Sequence, residues 1–231
     1  MPTIAAVQAN IAAADPSKDA YYAKHYAPVE ARYWTHIAGW MVVDWVERSV
    51  IVQRPVTAIV DIGCGYGTLL SFAAQVYGAS GTCVDIAQYL QPMVMQRYGL
   101  SFVAGNIEKD SLPDQRAYDV AIMTEVLEHL NFQPVPTLKK IHASLRPGGT
   151  LFLSTPDADG GWGRTTKHYP SLAAIPALDP KREWIDDHIW QYNETELQEV
   201  LRAAGFIIRK IERSEGPQGK HFNVWAVRQA G

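Results

Sequence analysis

Three glycines at alternate positions, Gly63, Gly65 and Gly67, directly follow a run of β-branched and apolar residues that ends at Ile62. Such a run predicts a strand that is buried on both faces. The glycines let the backbone turn sharply and approach a ligand without interference from a Cβ atom. The next residues predict a helix, whose first N–H groups have no partner within the helix. The pattern therefore predicts a ligand-binding turn between a strand and a helix.

The glycine spacing differs from the dinucleotide fingerprint G-x-G-x-x-G, because Thr68 stands three positions after Gly65. An acidic residue, Asp85, follows near the end of the next predicted strand, residues 81–86. A carboxylate at this place accepts hydrogen bonds from both hydroxyls of a ribose. Together the two features predict a site for a nucleoside-containing cofactor, and the alternative is a plain strand-to-helix turn.

A second group of chemically active residues, Glu125, Glu128 and His129, follows the predicted strand 118–124. If this segment is helical, their spacing places them on one face. One interpretation is structural, with the glutamates capping the helix or holding neighbouring loops. Another makes His129 a general base that takes a proton from an acceptor hydroxyl, since imidazole titrates near working pH.

Predicted strands and helices alternate over residues 56–154, which favours a parallel sheet in an α/β fold. The strands are 56–62, 81–86, 101–104, 118–124 and 150–154, and the helices are 69–77, 88–98 and 135–145. After a helix at 194–204, a Gly/Pro turn joins two further strands at 206–213 and 222–228. These two strands predict an antiparallel hairpin at one edge of the sheet.

Two segments lie outside this alternation. Residues 1–54 contain a predicted short helix at 15–26 and an apolar helix at 28–50, so we expect an N-terminal helical cap before a domain at 55–231. Residues 156–190 form an insertion that is too long for an ordinary loop and too short for a core of its own. Because it carries glycines, tryptophans and basic side chains, we expect a mobile lid over the acceptor site.

Composition narrows the class of protein. Of 231 residues, 47% are hydrophobic and 19% are charged, which excludes a disordered chain. The net charge of −3 disfavours nucleic acid as the main partner.

Cys64 and Cys83 lack the spacing of a disulfide framework or a zinc site. No secretory signal or membrane span is evident, so we expect a cytoplasmic protein with reduced cysteines. The sequence leaves the oligomeric state open.

Residues 56–228 resemble the class I S-adenosylmethionine-dependent methyltransferases, in particular the group that acts on small molecules. Residues 61–67 are similar to the first motif of that family, 84–86 to the second, 104–108 to the segment that contacts adenine, and 145–149 to the turn into the fifth strand. The resemblance implies a Rossmann-like, doubly wound seven-stranded sheet in the order 3-2-1-4-5-7-6 with strand 7 antiparallel. It also implies S-adenosylmethionine as the cofactor.

By this resemblance, Gly63 and Gly65 shape the loop against the methionine part of the cofactor, and Asp85 binds the ribose hydroxyls. Asn106 and Ile107 face the adenine. Asn106 departs from the family, which usually has Asp there to accept from the adenine amino group, but the Asn carbonyl oxygen is also an acceptor. The full predicted cofactor-binding set is Asp61, Gly63, Cys64, Gly65, Asp85, Ile86, Asn106, Ile107 and Thr124.

Relatives with a similar Glu-x-x-Glu-His stretch include O-methyltransferases, so we predict His129 and Glu125 as catalytic residues. The predicted acceptor is an oxygen of a small molecule such as a sugar, a nucleotide-sugar or another hydroxylated metabolite. The same stretch, completed by His188, also resembles small-RNA 2′-O-methyltransferases, which bind a divalent ion. Metal-independent relatives share these residues as well, and we predict no metal. A non-catalytic module that binds S-adenosylmethionine is a further alternative.

The remaining histidines and aromatic residues divide into two groups, those expected to be structural and those expected to line the acceptor site. His142 lies on a predicted helix and His221 begins the last predicted strand. Three tryptophans at helical spacing predict core positions: Trp34, Trp40 and Trp45. In the family that the chain resembles, N-terminal helices fold over the cofactor cleft and their aromatic residues line the acceptor site. The residues concerned here are Tyr22, His25, Tyr26 and Tyr33.

Overall fold

Seven strands form one mixed sheet in a computed structural model of the chain, which describes residues 1–17, 20–113, 117–164 and 166–230. The strands are β1 (Ala58–Ile62), β2 (Ser80–Asp85), β3 (Leu100–Ala104), β4 (Tyr118–Thr124), β5 (Leu145–Pro156), β6 (Phe206–Glu215) and β7 (Lys220–Arg228). Their order is β3-β2-β1-β4-β5-β7-β6, and β7 runs opposite in direction to the other six described strands. The predicted order and the antiparallel strand 7 are confirmed. Gly231, the last residue of the predicted domain, lies outside the described residues.

Helices pack on both faces of the sheet. They are α1 (Ile4–Ala14), α2 (Ala27–Tyr33), α3 (Thr35–Val46), α4 (Thr68–Tyr77), α5 (Pro92–Tyr98), α6 (Pro134–Ser144) and α7 (Glu194–Ala203). Neighbouring residues of β1, Ile59 and Val60, point into two different apolar cores, as successive side chains of a strand do. This arrangement confirms the doubly wound fold. Within the described residues, no helix has both the length and the apolar character needed to cross a bilayer.

The N-terminal helices share one of these cores with α4. Ile37 of α3 is fully buried in the same apolar cluster as Leu70 of α4. The buried carboxylate of Glu30 in α2 accepts hydrogen bonds of 2.8 Å from the Tyr22 hydroxyl and 3.1 Å from the Thr68 hydroxyl. Because Thr68 begins α4, these bonds tie the N-terminal helices to the helix that follows the glycine turn. The domain division at residue 55 stays a prediction.

The N-terminal segment differs from its predicted secondary structure. The expected helix at residues 28–50 is interrupted at Trp34, whose φ of −104° and ψ of 24° separate α2 from α3. Two π-helical turns, Tyr22–Tyr26 and Glu47–Ile51, flank these helices. Helix α1 has no counterpart in the prediction, because its alanine-rich sequence lacks a clear alternation of apolar and polar faces.

Candidate active site

Two cavities meet at the carboxyl ends of the central parallel strands, where open α/β sheets bind their ligands. The first has a volume of about 230 Å³ and the second about 240 Å³, and Gly63 and Glu125 border both. The first is also lined by Asp85, Ile86, Asn106 and Ile107. The second is also lined by Asp61, Cys64, Gly65 and Thr124. The fold thus brings every predicted cofactor-binding residue to the walls of two adjoining cavities, which together are called the cleft below.

The glycine turn between β1 and α4 has a backbone that excludes other residues at two positions. Gly63 has a φ of +71°, and a Cβ atom there would lie 2.3 Å from Cγ2 of Val126. Gly67 has a φ of +77°, and a Cβ atom there would lie 2.5 Å from Cδ1 of Leu90. Both the left-handed backbone and the close neighbours therefore require glycine. The local sequence pattern reflects this requirement.

Asp85, the last residue of β2, holds the glycine turn in place. Its Oδ2 atom accepts a hydrogen bond of 3.0 Å from the N–H of Gly65, and its Oδ1 atom accepts one of 3.3 Å from the N–H of Ala87. Each carboxylate oxygen has a further lone pair, so both can also accept from ligand hydroxyls in the first cavity. The side chain of Ile86 is half exposed beside it.

Asp61 is a buried carboxyl at the wall of the second cavity. It is 2% exposed, and its Oδ1 atom has no hydrogen-bond partner among the described residues. Burial raises the pKa of Asp61 well above its usual value, and the negative charge of Asp85 adds to this effect. A buried carboxyl without a partner is costly, so the site suits a ligand that brings a positive charge or a hydrogen-bond donor.

Asn106 caps the turn that follows β3. Its Oδ1 atom accepts a hydrogen bond of 2.9 Å from the N–H of Glu108, and its own N–H donates one of 2.7 Å to Asp110. Ile107 is buried behind it at the wall of the first cavity. The carbonyl oxygen that was expected to accept from adenine therefore already has one donor. Only its second lone pair remains for a ligand.

Cys64 and Cys83 form a disulfide, with their Cα atoms 5.6 Å apart. The expectation that these cysteines are unpaired and reduced is therefore wrong. The expectation rested on the spacing of the two cysteines in the sequence. That spacing does not show that β1 and β2 are neighbouring strands. The parallel register places Asp61 beside Cys83, and the glycine turn then brings Cys64 back over the end of β2.

Glu125 follows Thr124 at the end of β4 and has the positive φ of +55°, which is rare for a residue other than glycine. Its Oε1 atom accepts a hydrogen bond of 2.6 Å from the hydroxyl of Ser154. The expectation that Glu125, Glu128 and His129 share a helix face is wrong, because the chain turns at Glu125. Only the short 3₁₀ turn Leu127–His129 follows.

Glu128 points into the protein and is 1% exposed. Its Oε2 atom accepts a hydrogen bond of 2.9 Å from the hydroxyl of Thr155. Burial raises the pKa of Glu128 well above its usual value, and the nearby charge of Glu125 raises it further. This environment favours the neutral carboxyl in the absence of a cationic partner.

His129 and His188 lie against this carboxyl, and one ligand atom from each of the three side chains lies within 4.8 Å of the others. Nδ1 of His129 is 3.0 Å from the carbonyl oxygen of Asp187, which assigns the proton to Nδ1 and leaves the lone pair on Nε2. Nε2 is 3.9 Å from Oε1 of Glu128. Burial lowers the pKa of His188, and the nearby His129 lowers it further, which favours the neutral ring. Glu125 is not part of this cluster, and the prediction of no metal stays a prediction.

The insertion, residues 156–190, is anchored to the domain in several places. The side chain of Asn131 exchanges two hydrogen bonds with the backbone of Ile185, of 2.8 and 3.0 Å. The side chain of Gln133 donates to the carbonyls of Leu172 and Ile175. Trp184, also from the insertion, lines the first cavity. The described part of this segment therefore forms one wall of the cleft, and its motion as a lid stays a prediction.

The aromatic residues of the N-terminal helices line the second cavity. Four of the residues on this wall are His25, Tyr26, Tyr33 and Trp34. Trp34 was expected in the core, and it combines a mostly buried ring with a place at this wall. Tyr22 lies behind this wall and packs its ring against Tyr66, at 5.0 Å between centroids. The aromatic residues of the N-terminal helices therefore lie at the cleft, and their role in binding an acceptor stays a prediction.

Two residues near Glu125 received no functional role from the sequence. His221 lies 2.8 Å from Oε2 of Glu125, and Trp162 donates a hydrogen bond to the other side of the same imidazole. No local pattern indicates either residue, because His221 reaches Glu125 through the pairing of β5 with β7, and Trp162 reaches His221 from the insertion. His142, in contrast, packs edge-to-face on Phe206 and lines neither cavity.

A sequence model of the methyltransferase domain matches residues 33–211. The chain belongs to this family. The family membership confirms the predicted class of S-adenosylmethionine-dependent methyltransferases and S-adenosylmethionine as the cofactor.

Curated relatives of the methyltransferase carry the name ubiquinone biosynthesis O-methyltransferase. The protein of that name from Xanthomonas campestris pv. campestris is 31% identical over 143 residues, which are 56% of this chain and 58% of the relative. The Coxiella burnetii protein is 34% identical over 125 residues, which are 52% of this chain and 51% of the relative. The methyltransferase therefore matches little more than half the length of these relatives.

A solved structure shows the same fold. Burkholderia thailandensis 1,6-didemethyltoxoflavin-N1-methyltransferase, with bound 1,6-didemethyltoxoflavin and S-adenosylhomocysteine, aligns with a TM-score of 0.58 and 23% identity. The alignment covers 99% of this chain and 92% of that one. It therefore spans the N-terminal helices as well as the sheet.

Proposed function

We propose that the methyltransferase transfers the methyl group of S-adenosylmethionine to an oxygen of a small hydroxylated molecule. The observation that carries the proposal is that the carboxyl of Glu125 borders both of the two adjoining cavities. A cofactor that spans both cavities passes Glu125, and an acceptor molecule in the second cavity can reach its methyl group there. The name of the curated relatives supports oxygen as the methylated atom.

We place the adenosine of the cofactor in the first cavity and its methionine part in the second. In this placement Asp85 accepts from the ribose hydroxyls, and Ile107 contacts the adenine. The α-ammonium group of the cofactor supplies the positive charge that the unpartnered Oδ1 atom of Asp61 lacks. The residues present thus fit the cofactor on both sides of the glycine turn.

In the proposed reaction, the acceptor oxygen attacks the methyl carbon while the bond from that carbon to sulfur breaks. The electron pair stays on sulfur, which gives S-adenosylhomocysteine, and the acceptor proton moves to a base. We assign this base to Nε2 of His129, because Nδ1 is held by the carbonyl of Asp187. Glu125 accepts a hydrogen bond from the acceptor hydroxyl and orients it. Since the sulfonium is a good leaving group, the protein mainly aligns the reactants and excludes water.

The acceptor is a ring-bearing metabolite such as a sugar or a nucleotide-sugar. The rings of Tyr26, Tyr33 and Trp34 line the second cavity and provide apolar surfaces on which another ring packs. The chain matches only about half the length of each curated relative, so the proposal for the acceptor rests on the lining of the second cavity.

Incubation with methyl-labelled S-adenosylmethionine tests this function. The acceptor panel contains catechol, glucose, uridine diphosphate glucose and a single-stranded RNA, and S-adenosylhomocysteine formation is measured. We expect label on an oxygen of at least one small acceptor and none on RNA. Binding of S-adenosylhomocysteine without turnover of any acceptor from a cell extract would favour the non-catalytic module instead.

A metal-assisted reaction is the second candidate, because Glu128, His129 and His188 bring one carboxylate and two imidazole ligands together. The chelator EDTA separates the two candidates in the same assay. The proposed base mechanism requires full activity after chelation. Loss of activity with EDTA and its return with a divalent ion would assign these three side chains as ligands and remove His129 as the base.

Binding of S-adenosylmethionine should release a proton from Asp61. Burial raises the pKa of Asp61 and so favours its protonated form in the free protein, whereas the ligand ammonium favours the carboxylate. The complex therefore binds fewer protons, and affinity should rise with pH below about 7.7, where the ligand ammonium is charged. Calorimetry in two buffers of different ionisation enthalpy measures the release. Asp61→Asn should abolish it, and an unchanged release in that variant would exclude Asp61 as the source.

Hydrogen exchange in residues 182–188 should slow when S-adenosylhomocysteine binds, and should slow further with the acceptor. Trp184 and Asp186 of this segment line the first cavity, so the ligand covers them. Residues 172–176, anchored by Gln133, serve as the internal control and should change little. Equal protection of residues 182–188 with and without ligand would show that the insertion is not a lid.

A further inference from the structure

His221 in β7 is a fully buried histidine that links three separate parts of the chain. Its Nδ1 atom lies 2.8 Å from Oε2 of Glu125, in the loop after β4. Its Nε2 atom accepts a hydrogen bond of 3.2 Å from the indole N–H of Trp162, in the insertion. Its ring stacks on Tyr33 of the N-terminal helices, with 3.9 Å between centroids. Three segments that are far apart in the sequence therefore contact one imidazole.

The indole of Trp162 determines which nitrogen of His221 carries the proton. An indole N–H only donates, so Nε2 of the imidazole must accept and carries no proton. In the neutral ring the proton is then on Nδ1, which faces the carboxylate of Glu125. The contact between Nδ1 and Oε2 is short but departs from in-line hydrogen-bond geometry. Catalytic hydrogen bonds are often poorly aligned in sites without substrate and tighten only in the complex with the reactants.

The carboxylate of Glu125 is held at both oxygens. The hydroxyl of Ser154 donates to Oε1 at 2.6 Å, and His221 faces Oε2. The backbone of Glu125 has the sparsely populated φ of +55°, a conformation that persists where the surrounding structure imposes it. Because Glu125 borders both cavities, its orientation determines where an acceptor hydroxyl lies relative to the cofactor.

We propose that His221 is a positioning residue of the methyl-transfer site. Its Nδ1–H group holds Oε2 of Glu125 so that the carboxylate accepts the hydrogen bond from the acceptor hydroxyl. Trp162 selects the tautomer of His221 that makes this possible. The inference rests on the proposed function, because it takes Glu125 as the group that orients the acceptor. The proposal gives the insertion a role in positioning the acceptor, because the indole of Trp162 sets the tautomer of His221.

Nitrogen NMR of the histidine side chains tests the tautomer without any turnover. In the complex with S-adenosylhomocysteine, we expect the proton of His221 on Nδ1 and a bare Nε2. Trp162→Phe keeps an aromatic ring but removes the donor, so a population with the proton on Nε2 should appear. A proton on Nε2 in the unmodified protein would overturn the proposal. This arm also decides the proposal if variants at position 221 fail to fold.

Two amide variants test the positioning role by kinetics. The amide nitrogen of His221→Asn takes the approximate place of Nδ1, whereas that of His221→Gln takes the approximate place of Nε2. We expect the Asn variant to keep the KM for the acceptor within about threefold, and the Gln variant to raise it by about tenfold or more. Affinity for S-adenosylhomocysteine should stay unchanged in both, since His221 lines neither cavity.

Equal kinetic losses in the Asn and Gln variants, or a matching loss of cofactor affinity, would show a purely structural role and overturn the proposal. The acceptor used is the member of the panel with the highest turnover. If no acceptor is methylated, the proposed function fails, and the NMR result still decides whether His221 donates to Glu125. The two failures are therefore distinguishable.

Discussion

Replacing His129 by alanine should lower turnover by about a hundredfold or more, which is the usual contribution of a general base. The structure gives the reason, because the carbonyl of Asp187 holds Nδ1 and leaves the lone pair of Nε2 to take the acceptor proton. His129 also lines the first cavity, but its Nδ1 atom is held by a protein carbonyl, so cofactor affinity should change far less than turnover. Steady-state kinetics with the best acceptor measure the first effect, and calorimetry with S-adenosylhomocysteine measures the second.

The pH–rate profile provides an independent readout for His129. An imidazolium ion cannot accept a proton, so the unmodified enzyme should lose activity on the acid side, and His129→Ala should lack that limb. His142→Ala is the matched control, because this histidine packs on Phe206 and lines neither cavity. A tenfold or smaller loss in His129→Ala, or retention of its acid limb, would exclude the imidazole as the base.

Replacing Asp85 by alanine should weaken binding of S-adenosylmethionine and its demethylated product by about 2–3 kcal/mol, roughly 30- to 150-fold. Two ribose hydroxyls lose a charged acceptor, and the N–H of Gly65 loses its partner at 3.0 Å. The second effect loosens the glycine turn itself. Calorimetry gives the affinity, and thermal unfolding of the free protein reports on the turn.

Asp85→Asn separates these two contributions. Asparagine keeps an oxygen acceptor for Gly65 but removes the charge, so the turn should remain intact while ribose binding weakens. Loss of the charge should also lower the pKa of Asp61, because Asp85 is one of the causes that raise it. Proton release on cofactor binding should therefore shrink. Unchanged affinity in Asp85→Ala would remove Asp85 from the cofactor site.

Much of the fold could be predicted because its signals are local. The β-branched run before Gly63 marks β1, and the two final strands with a Gly/Pro turn between them mark the antiparallel hairpin. The positions of Asp85 and Asn106 follow in the same way, since each lies at the end of a short strand in a parallel sheet. The carboxyl ends of such strands meet at one edge, which brings the predicted cofactor residues into one cleft.

The turn at Glu125 could not be predicted from spacing. Separations of three and four residues indicate a helix face only if the backbone is helical, and the positive φ of Glu125 breaks it. The left-handed conformation of a non-glycine residue is imposed by its surroundings, here by bonds to Ser154. The disulfide of Cys64 and Cys83 could likewise not be predicted from the sequence, because it depends on the register of β1 with β2.

The amino-acid sequence by itself determined the residues of the glycine turn, because these depend on short-range backbone requirements such as the φ of +71° at Gly63. Its motifs indicated the family and the cofactor through their resemblance to the class I methyltransferases. Only the tertiary structure decided how the acceptor side is assembled. His221 reaches Glu125 because β7 runs antiparallel to β5, with His221 paired to Pro156, and Trp162 reaches the same ring from the insertion. Contacts between side chains 59 and 96 positions apart arise from strand pairing and burial, which no local pattern encodes.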